Sequence, residues 1–311
     1  MLLSIIIPVY NSEKYLKVCL DSVSNLDLDE YELLIVDDGS TDNSRELINN
    51  FDPPKCIKCH KIYQDNNGAS VARNRCLEIA TGRYIIFLDS DDYLKAENVK
   101  QLIDFSNRNN LDFLATPYYV FDDKSSYLKN RALRNKIVTT GWEFVRSALK
   151  LGSYRTELCI NIYRRDIIKK NKIKFAPGIS YEDALYITQF LFHSKRAAFI
   201  NQPFYYYRQH GESITAAKDS VFSKCSEAKI INLLSEFFKD KEIKDKWWND
   251  ILVSRYYRLV RFRHVRSKVL TKEIILLRPL TSKSWLKKIA TLAFIFWASD
   301  VENLKKGGSR S

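Results

Sequence analysis

Four short apolar runs alternate with helical patterns in the first hundred residues, and this alternation limits the fold more than any other feature of the chain. The predicted strands are residues 2–7, 32–36, 57–63 and 84–88. Between them apolar residues recur at the spacing of an amphipathic helix, as they do over residues 69–80. Such alternation predicts an α/β fold with a Rossmann-like, mostly parallel central sheet flanked by helices.

Polar residues follow each predicted strand at the point where the chain leaves the sheet. They are Asn11 and Ser12, then residues 37–40, 66–68 and 89–92. In a mostly parallel sheet the carboxyl ends of the strands share one edge, and ligands bind there. The pattern therefore predicts one shared site at that edge.

The acidic run after the fourth strand is the strongest local signal of chemistry. Asp89, Asp91 and Asp92 repel one another unless a cation joins them. Mg²⁺ prefers oxygen ligands and is commonly bound by one or two carboxylates together with substrate phosphates. Acidic residues are also common at helix N-termini, so an ordinary helix start remains the alternative for this run.

The sequence pattern in the middle of the chain predicts both helices and strands. We expect strands at residues 113–117 and 159–163, helices at 142–150 and 182–193, and a charged loop over 122–135.

The six cysteines lie mostly in apolar patterns, which is typical of reduced, buried thiols. Residues 56–60 read CxxCH, but neither a haem nor a zinc site is expected there, because no export signal and no second ligand pair accompany the string.

The order of four motifs resembles glycosyltransferase family 2 of the bacterial polysaccharide and lipooligosaccharide type. The motifs are PVYN from Pro8, VDDGSTD from Val36, Asn67-Gly68-Ala69 with Arg73-Asn74, and DSDD from Asp89. The likeness is dense over about residues 3–95 and returns more loosely at 162–165, 181–183 and 207–208. The resemblance implies a GT-A fold and transfer of a sugar from a nucleotide diphosphate donor with inversion.

The same resemblance assigns a donor site for a UDP-sugar. The implied nucleotide and donor contacts are Pro8, Val9, Tyr10, Asp38, Gly68, Arg73, Asp89, Ser90 and Asp91. Asp91 and Asp89 would hold Mn²⁺ or Mg²⁺ at the diphosphate, with His210 as a further ligand. Asp92 is expected to cap a helix or to support the metal ligands instead.

The residues implied for the acceptor side lie much later in the chain. Asp183 matches the general base of the family, which removes the proton of the acceptor hydroxyl, and Glu182 would contact the acceptor or the sugar. Trp142 offers an aromatic platform for a sugar ring, although packing within its helix explains it equally well. Without the earlier motifs, Glu182 and Asp183 would be read as an acidic helix start.

The C-terminal part of the chain is strongly basic. Residues 241–311 contain 17 Lys and Arg against 6 Asp and Glu, whereas the whole chain has a net charge of +13. We expect a GT-A domain at residues 1–220, with 1–95 on the nucleotide-sugar side and 96–220 on the acceptor side. Residues 221–311 should form a helical extension that binds an anionic membrane surface. Packing or self-association as a homo-oligomer is the alternative, and nucleic acid is not expected.

The expected function is transfer of a hexose or N-acetylhexosamine to a glycan hydroxyl, with the acceptor carried on a lipid. The protein should act in the cytoplasm at the inner face of the cell membrane, because no signal peptide and no apolar run of about 20 residues occur in the sequence. A nucleotidyltransferase acting on sugar phosphates is one rival. A non-catalytic nucleotide-sugar-binding protein is another.

Overall fold

The computed structural model describes residues 1–54, 57–122, 124–130, 132–211, 221–239, 241 and 251. The chain divides into two compact units, Met1–Lys218 and Asp219–Ser311. Cys56, the first residue of the CxxCH string, lies outside the described residues, and so does the basic aromatic segment around Trp247 and Trp248. Within the described part, no helix combines the length and the apolar character that crossing a bilayer requires.

The first unit begins with alternating strands and helices. In chain order they are β1 (Leu3–Val9), α1 (Leu16–Ser24), β2 (Tyr31–Asp38), α2 (Ser44–Asn50), β3 (Ile57–Gln64), α3 (Ala69–Ile79) and β4 (Tyr84–Phe87). There follow β5 (Tyr93–Leu94), α4 (Ala96–Arg108), β6 (Phe113–Ala115), β7 (Tyr118–Phe121), β8 (Ser126–Lys129), α5 (Gly141–Lys150), β9 (Asn161–Arg164), α6 (Arg165–Lys170), α7 (Glu182–His193), β10 (Ala197–Phe199) and β11 (Tyr205–Arg208). In the second unit, α8 spans Val221–Lys239.

The large sheet has the order β10-β6-β9-β4-β1-β2-β3. Its pairs are parallel except for those of β9, which runs antiparallel to both β4 and β6. The central strands β1 and β2 are apolar runs buried on both faces, as strands covered by helices on each side must be. The predicted α/β fold with a mostly parallel sheet is confirmed.

A second, smaller sheet has the order β5-β11-β7-β8. The prediction of a loop over residues 122–135 was wrong in part, because β8 lies inside it and pairs antiparallel with β7. Asp122 forms the turn between these strands by accepting hydrogen bonds from the backbone of Lys124 and Ser125. β8 is an edge strand whose residues are mostly exposed, so it lacks the apolar alternation that marks a half-buried strand.

A buried carboxylate fixes the turn that leads into β4. Glu32, on β2, accepts hydrogen bonds from the Ser4 hydroxyl at 2.6 Å, the Thr81 amide at 2.6 Å and the Gly82 amide at 3.1 Å. A Cβ at Gly82 would lie 2.5 Å from the Ser4 Oγ and from backbone atoms of β1, so only glycine fits there. This turn therefore sets where β4 begins and, through it, where the acidic residues beyond β4 emerge.

Candidate active site

The loops after β1 and β4 meet at the carboxyl edge of the large sheet. The Ser12 and Ser90 hydroxyls lie 2.6 Å apart and share a hydrogen bond. The loop after β2 joins them, because the Asn11 side-chain oxygen accepts a hydrogen bond from the Thr41 amide at 2.8 Å. Three of the predicted strand ends are thus connected directly, as expected for parallel neighbours.

Asp38 connects the end of β2 to the loop after β3. Its carboxylate is buried and accepts hydrogen bonds from Gln64 Nε2 at 2.7 Å, the Asn67 amide at 2.9 Å and the Gly68 amide at 2.8 Å. Gly68 has a φ of 87°, a conformation that side chains disfavour. A carboxylate accepts about four hydrogen bonds, so Asp38 can accept about one more than these three.

The segment that ends β1 offers few side chains to a ligand. Val9 is wholly buried in the core, and Pro8 is half-buried. Tyr10 is 48% exposed, which leaves its ring open to a ligand. Of the three residues, the side chain of Tyr10 is therefore the one available for contact, while Val9 can offer backbone atoms alone.

Arg73 links the acidic turn after β4 to the start of α7. From α3, its Nη2 donates to Asp89 Oδ1 at 2.9 Å and its Nη1 donates to Glu182 Oε1 at 2.8 Å. The same Nη1 lies 3.9 Å from Asp183 Oδ1. Burial disfavours the charge on Arg73, but the surrounding carboxylates outweigh this effect and raise its pKa. The guanidinium therefore stays charged and holds three carboxylates from distant parts of the chain together.

The Asp183 side chain is partly exposed, and its pKa is raised. Its side chain is 30% exposed, its Oδ2 accepts a hydrogen bond from the Leu158 amide at 3.2 Å, and its Oδ1 is buried without a hydrogen-bond partner. Burial and the negative charges of Glu182 and Asp89 raise the pKa of Asp183 to about 8, against the opposing effects of Arg73 and the Leu158 amide. A general base works best with a pKa near the operating pH.

The backbone immediately before α7 is strained. Tyr181 has a φ of 61° and a ψ of 28°, which is the left-handed region that few non-glycine residues adopt. Its carbonyl accepts a hydrogen bond from the Ala184 amide at 3.1 Å and so closes the first turn of the helix. Glu182 and Asp183 are the first two residues of that turn. The conformation of Tyr181 therefore determines where both of them are placed.

Asp91 and His210 form the second part of the acidic site. Asp91 Oδ2 lies 2.9 Å from His210 Nε2, while His210 Nδ1 is buried without a hydrogen-bond partner. Burial and the charge of Asp89 raise the pKa of Asp91, and the hydrogen bond from His210 opposes that rise. Carboxylate oxygen and imidazole nitrogen are both ligands of divalent cations, and Asp91 Oδ2 and His210 Nε2 are close enough to bind one ion in place of the hydrogen bond between them.

A second group of potential ligand atoms is formed by Asp89, Asp92 and Cys159, whose ligand atoms lie within 4.8 Å of one another. Asp92 already accepts hydrogen bonds from the Tyr205 hydroxyl and the Arg208 amide, both at 2.6 Å. Burial raises the pKa of the Cys159 thiol, which therefore stays protonated. This group is a poorer cation site than the one formed by Asp91 and His210.

Arg208 is held beside the acidic turn by two aromatic rings. Its guanidinium carbon lies 4.8 Å from the ring centroid of Tyr15 and 4.5 Å from that of Phe121, and its Nε donates to the Asp91 carbonyl at 3.0 Å. Sequence reasoning missed the contribution of Tyr15. Its ring also lies 4.7 Å from that of His210, and nothing in the local sequence pattern indicates a partner so far along the chain.

Trp142 is the predicted residue that the structure does not bring to this site. The amide of Gly141, its neighbour, donates to the Ser194 carbonyl just after the C-terminal end of α7, whereas Glu182 and Asp183 stand at the N-terminal end. A helix of 12 residues is about 18 Å long. There the ring centroid of Trp142 lies 5.5 Å from the guanidinium carbon of Arg146.

Asp183 should make the stability of the metal-free protein fall as the pH rises. Its folded-state pKa of about 8 lies above the value of about 3.9 for an unfolded chain, so the folded state binds the proton more tightly. This contribution is complete below about pH 4 and is lost through pH 8. Asp91 and Asp92, whose pKa values are also raised, act in the same direction.

We therefore expect the thermal midpoint, measured in EDTA, to decrease between about pH 5 and pH 9. Asp183→Asn should remove part of that decrease and raise the midpoint at the alkaline end. Identical pH slopes for the variant and the wild type would show that Asp183 does not hold a proton in the folded state.

Comparison with known proteins shows the family. The family model described as glycosyl transferase family 2 matches residues 4–171. The uncharacterized glycosyltransferase YibD of Escherichia coli is 33% identical over 217 residues, which cover 68% of this chain and 63% of that protein. The poly(ribitol-phosphate) beta-N-acetylglucosaminyltransferase TarS of Staphylococcus aureus is 28% identical over 225 residues, covering 70% of this chain and 37% of TarS.

Solved structures show the same fold. A crystal structure of TarS in complex with UDP-GlcNAc has a TM-score of 0.67 and 21% identity, and covers 88% of this chain and 78% of that one. The mannosyltransferase PcManGT of Pyrobaculum calidifontis, in complex with GDP-Man and Mn²⁺, has a TM-score of 0.53 and 14% identity, covering 97% and 86%. The fold is thus that of GT-A glycosyltransferases. Taken with the matched family model, these likenesses show that the chain belongs to glycosyl transferase family 2.

Proposed function

We propose that this protein is a metal-dependent, inverting glycosyltransferase that moves a hexose or N-acetylhexosamine from a UDP-sugar to a hydroxyl group of a glycan. The observation that carries the proposal is the contact of Arg73 with both Asp89 and Glu182. It joins the acidic strand end on the donor side to the helix that carries Asp183. Donor and acceptor chemistry can therefore meet in one cleft.

Asp183 is the proposed general base. The acceptor hydroxyl gives its proton to the Asp183 carboxylate while its oxygen bonds to C1 of the sugar, and the bond from C1 to the UDP oxygen breaks. Attack on the face opposite the leaving UDP inverts C1, so an α-linked donor yields a β-linked product. General base catalysis of this kind typically contributes about 10²–10⁴-fold in rate.

Asp91, Asp89 and His210 are the residues proposed to hold Mn²⁺ or Mg²⁺. A divalent cation bound there supplies positive charge to the diphosphate as it leaves. Arg73 forms an ion pair with Asp89, and Arg208 is held by two rings and has further N–H groups that can donate to a phosphate. PcManGT, whose structure contains GDP-Man and Mn²⁺, supports this proposal.

Asp91→Asn should weaken the Mn²⁺-dependent binding of UDP by at least about tenfold, because even residues that only support metal ligands lower metal affinity by about 10–100-fold when changed. Isothermal titration of UDP, with and without Mn²⁺, measures this effect. Asp27→Asn is the matched control, since Asp27 is an exposed carboxylate paired with Lys100 at the surface. An unchanged Mn²⁺ dependence in Asp91→Asn would exclude the proposed metal site.

We propose further that the basic C-terminal segment binds an anionic membrane and that the acceptor is carried on a lipid, as in bacterial surface polysaccharide synthesis. The support is the charge of residues 241–311, where each Lys or Arg near an anionic bilayer contributes about 1 kcal/mol. The full chain should sediment with vesicles containing phosphatidylglycerol, and deletion of residues 283–311 should abolish this. Equal sedimentation of both chains would refute the role of that segment.

A further inference from the structure

Arg155 is a half-buried cation without a partner in the part of the chain that the structure describes. Its Nε is shielded from solvent and makes no hydrogen bond. Its guanidinium forms neither a hydrogen bond nor an ion pair with another described residue. A polar atom withdrawn from water without a hydrogen-bond partner is unfavourable, so an acceptor atom bound beside the Arg155 guanidinium would be favoured.

The loop that carries Arg155 is held on both sides. Before it, the Tyr154 hydroxyl lies 3.0 Å from the Thr188 hydroxyl on α7. After it, Glu157 Oε1 accepts a hydrogen bond from the Tyr118 hydroxyl on β7 at 3.0 Å. Arg155 therefore stands in a fixed segment between α7 and the small sheet, and the missing partner does not result from an unanchored loop.

The same loop contacts the proposed general base. The Leu158 amide donates to Asp183 Oδ2 at 3.2 Å. Leu158 is three residues beyond Arg155, so their Cα atoms are at most about 11 Å apart. If the hydroxyl of an acceptor lies at Asp183, a neighbouring group of the same acceptor can contact the Arg155 side chain.

The chain segment that leads to Arg155 is rich in basic residues. Residues 124–155 contain eight Lys and Arg and one acidic residue. Lys129 Nζ lies 5.5 Å from the ring centroid of Tyr118, the residue that bonds Glu157, and forms no ion pair with a described carboxylate. Arg155 also lies near Tyr118, so two cations stand beside the Glu157 carboxylate, and this excess of positive charge favours a negatively charged ligand.

We propose that Arg155 binds an anionic group of the acceptor, a phosphate ester or a carboxylate, near the hydroxyl that is glycosylated. A guanidinium presents paired N–H groups that match the oxygen pairs of both anions, which explains an arginine at this position. The proposal rests on the proposed function, since it assigns the acceptor of that reaction to an anionic class. It makes Arg155 a specificity-determining residue.

The test uses the full chain with its donor site saturated by UDP and Mg²⁺. Three probes share one sugar ring: methyl glucoside 6-phosphate, methyl glucuronide and neutral methyl glucoside. Ligand-observed NMR gives their dissociation constants for the wild type, Arg155→Gln, Arg155→Lys and Arg146→Gln. Arg146 is the matched control because it lies with Trp142 at the far end of α7. Unchanged affinity for UDP shows that each variant is folded.

We expect at least one anionic probe to bind about tenfold or more tightly than the neutral one. Arg155→Gln should remove that preference, Arg155→Lys should keep part of it, and Arg146→Gln should keep it fully. Preference for the phosphate indicates an acceptor that carries a phosphate group, and preference for the glucuronide indicates an acidic sugar.

Equal binding of charged and neutral probes, no binding of any probe, or an unchanged preference in Arg155→Gln would overturn the proposal. Release of UDP from UDP-sugars is measured on the same samples. It distinguishes a failure of the anion-binding proposal from a failure of the proposed function. Anion binding that depends on Arg155 without any turnover of UDP-sugars would count against the proposed function alone.

Discussion

Asp183→Asn should lower the rate of sugar transfer by about 10²–10⁴-fold while leaving the affinity for UDP nearly unchanged. The amide keeps the size of the side chain and can still accept the Leu158 hydrogen bond, but it cannot take up the proton of the acceptor. Product formation and UDP titration on the same preparation separate the two effects. In the wild type, the rate should rise with pH toward about 8, because the base acts in its ionised form.

Asp166→Asn is the control for this experiment. Asp166 is a carboxylate with 70% of its side chain exposed, near the start of α6, and it lies outside the cluster around Arg73. Its replacement should leave both the rate and the pH profile unchanged. Near-normal transfer by Asp183→Asn would assign the base to another group, and an equal loss of UDP affinity would indicate a structural role.

Arg73→Met should lower the free energy of unfolding by about 3–5 kcal/mol, which is the range for removing one partner of a buried ion pair. The side chain is 7% exposed, and Met fills a similar volume, so the change chiefly removes the charge. Asp89, Glu182 and Asp183 would then face one another without a cation. Urea denaturation in EDTA measures the loss.

Arg75→Met is the matched control on the same helix. Arg75 is exposed, and its Nη1 donates to the Tyr63 carbonyl at 3.2 Å and to Gln64 Oε1 at 3.5 Å. Substitutions at such positions usually change stability by about 0.5 kcal/mol or less. Similar losses in both variants would mean that Arg73 stabilises the fold through packing alone and not by neutralising the three carboxylates.

The sheet and the place of the site could be predicted from sequence because their signals are local. β1 and β2 are continuous apolar runs, and the residues after them are polar, so each strand and its end can be recognised within about ten positions. Parallel pairing then requires the strand ends to share an edge. Asp38 and Asp89 were placed correctly at that edge by this reasoning alone.

The remaining contacts could not be predicted because their partners are far apart in the chain. Arg73 bonds Glu182 across 109 positions, and Arg208 reaches Asp91 across 117. The strand β11, which delivers Arg208, has four residues and pairs with strands that are equally short or shorter. Strands of this length show too little alternation to be recognised. The position of Trp142 near the C-terminal end of α7 could not be predicted either, because it depends on tertiary packing.

The left-handed conformation of Tyr181 limits which amino acids evolution can place at that position. Glycine or asparagine would adopt this backbone with little strain, whereas valine or isoleucine would clash with it. A backbone strain of about 1–3 kcal/mol persists only where neighbouring contacts enforce it. Among homologous chains that retain the two acids that follow, we therefore expect residue 181 to vary among Tyr, Asn and Gly and to avoid branching at Cβ.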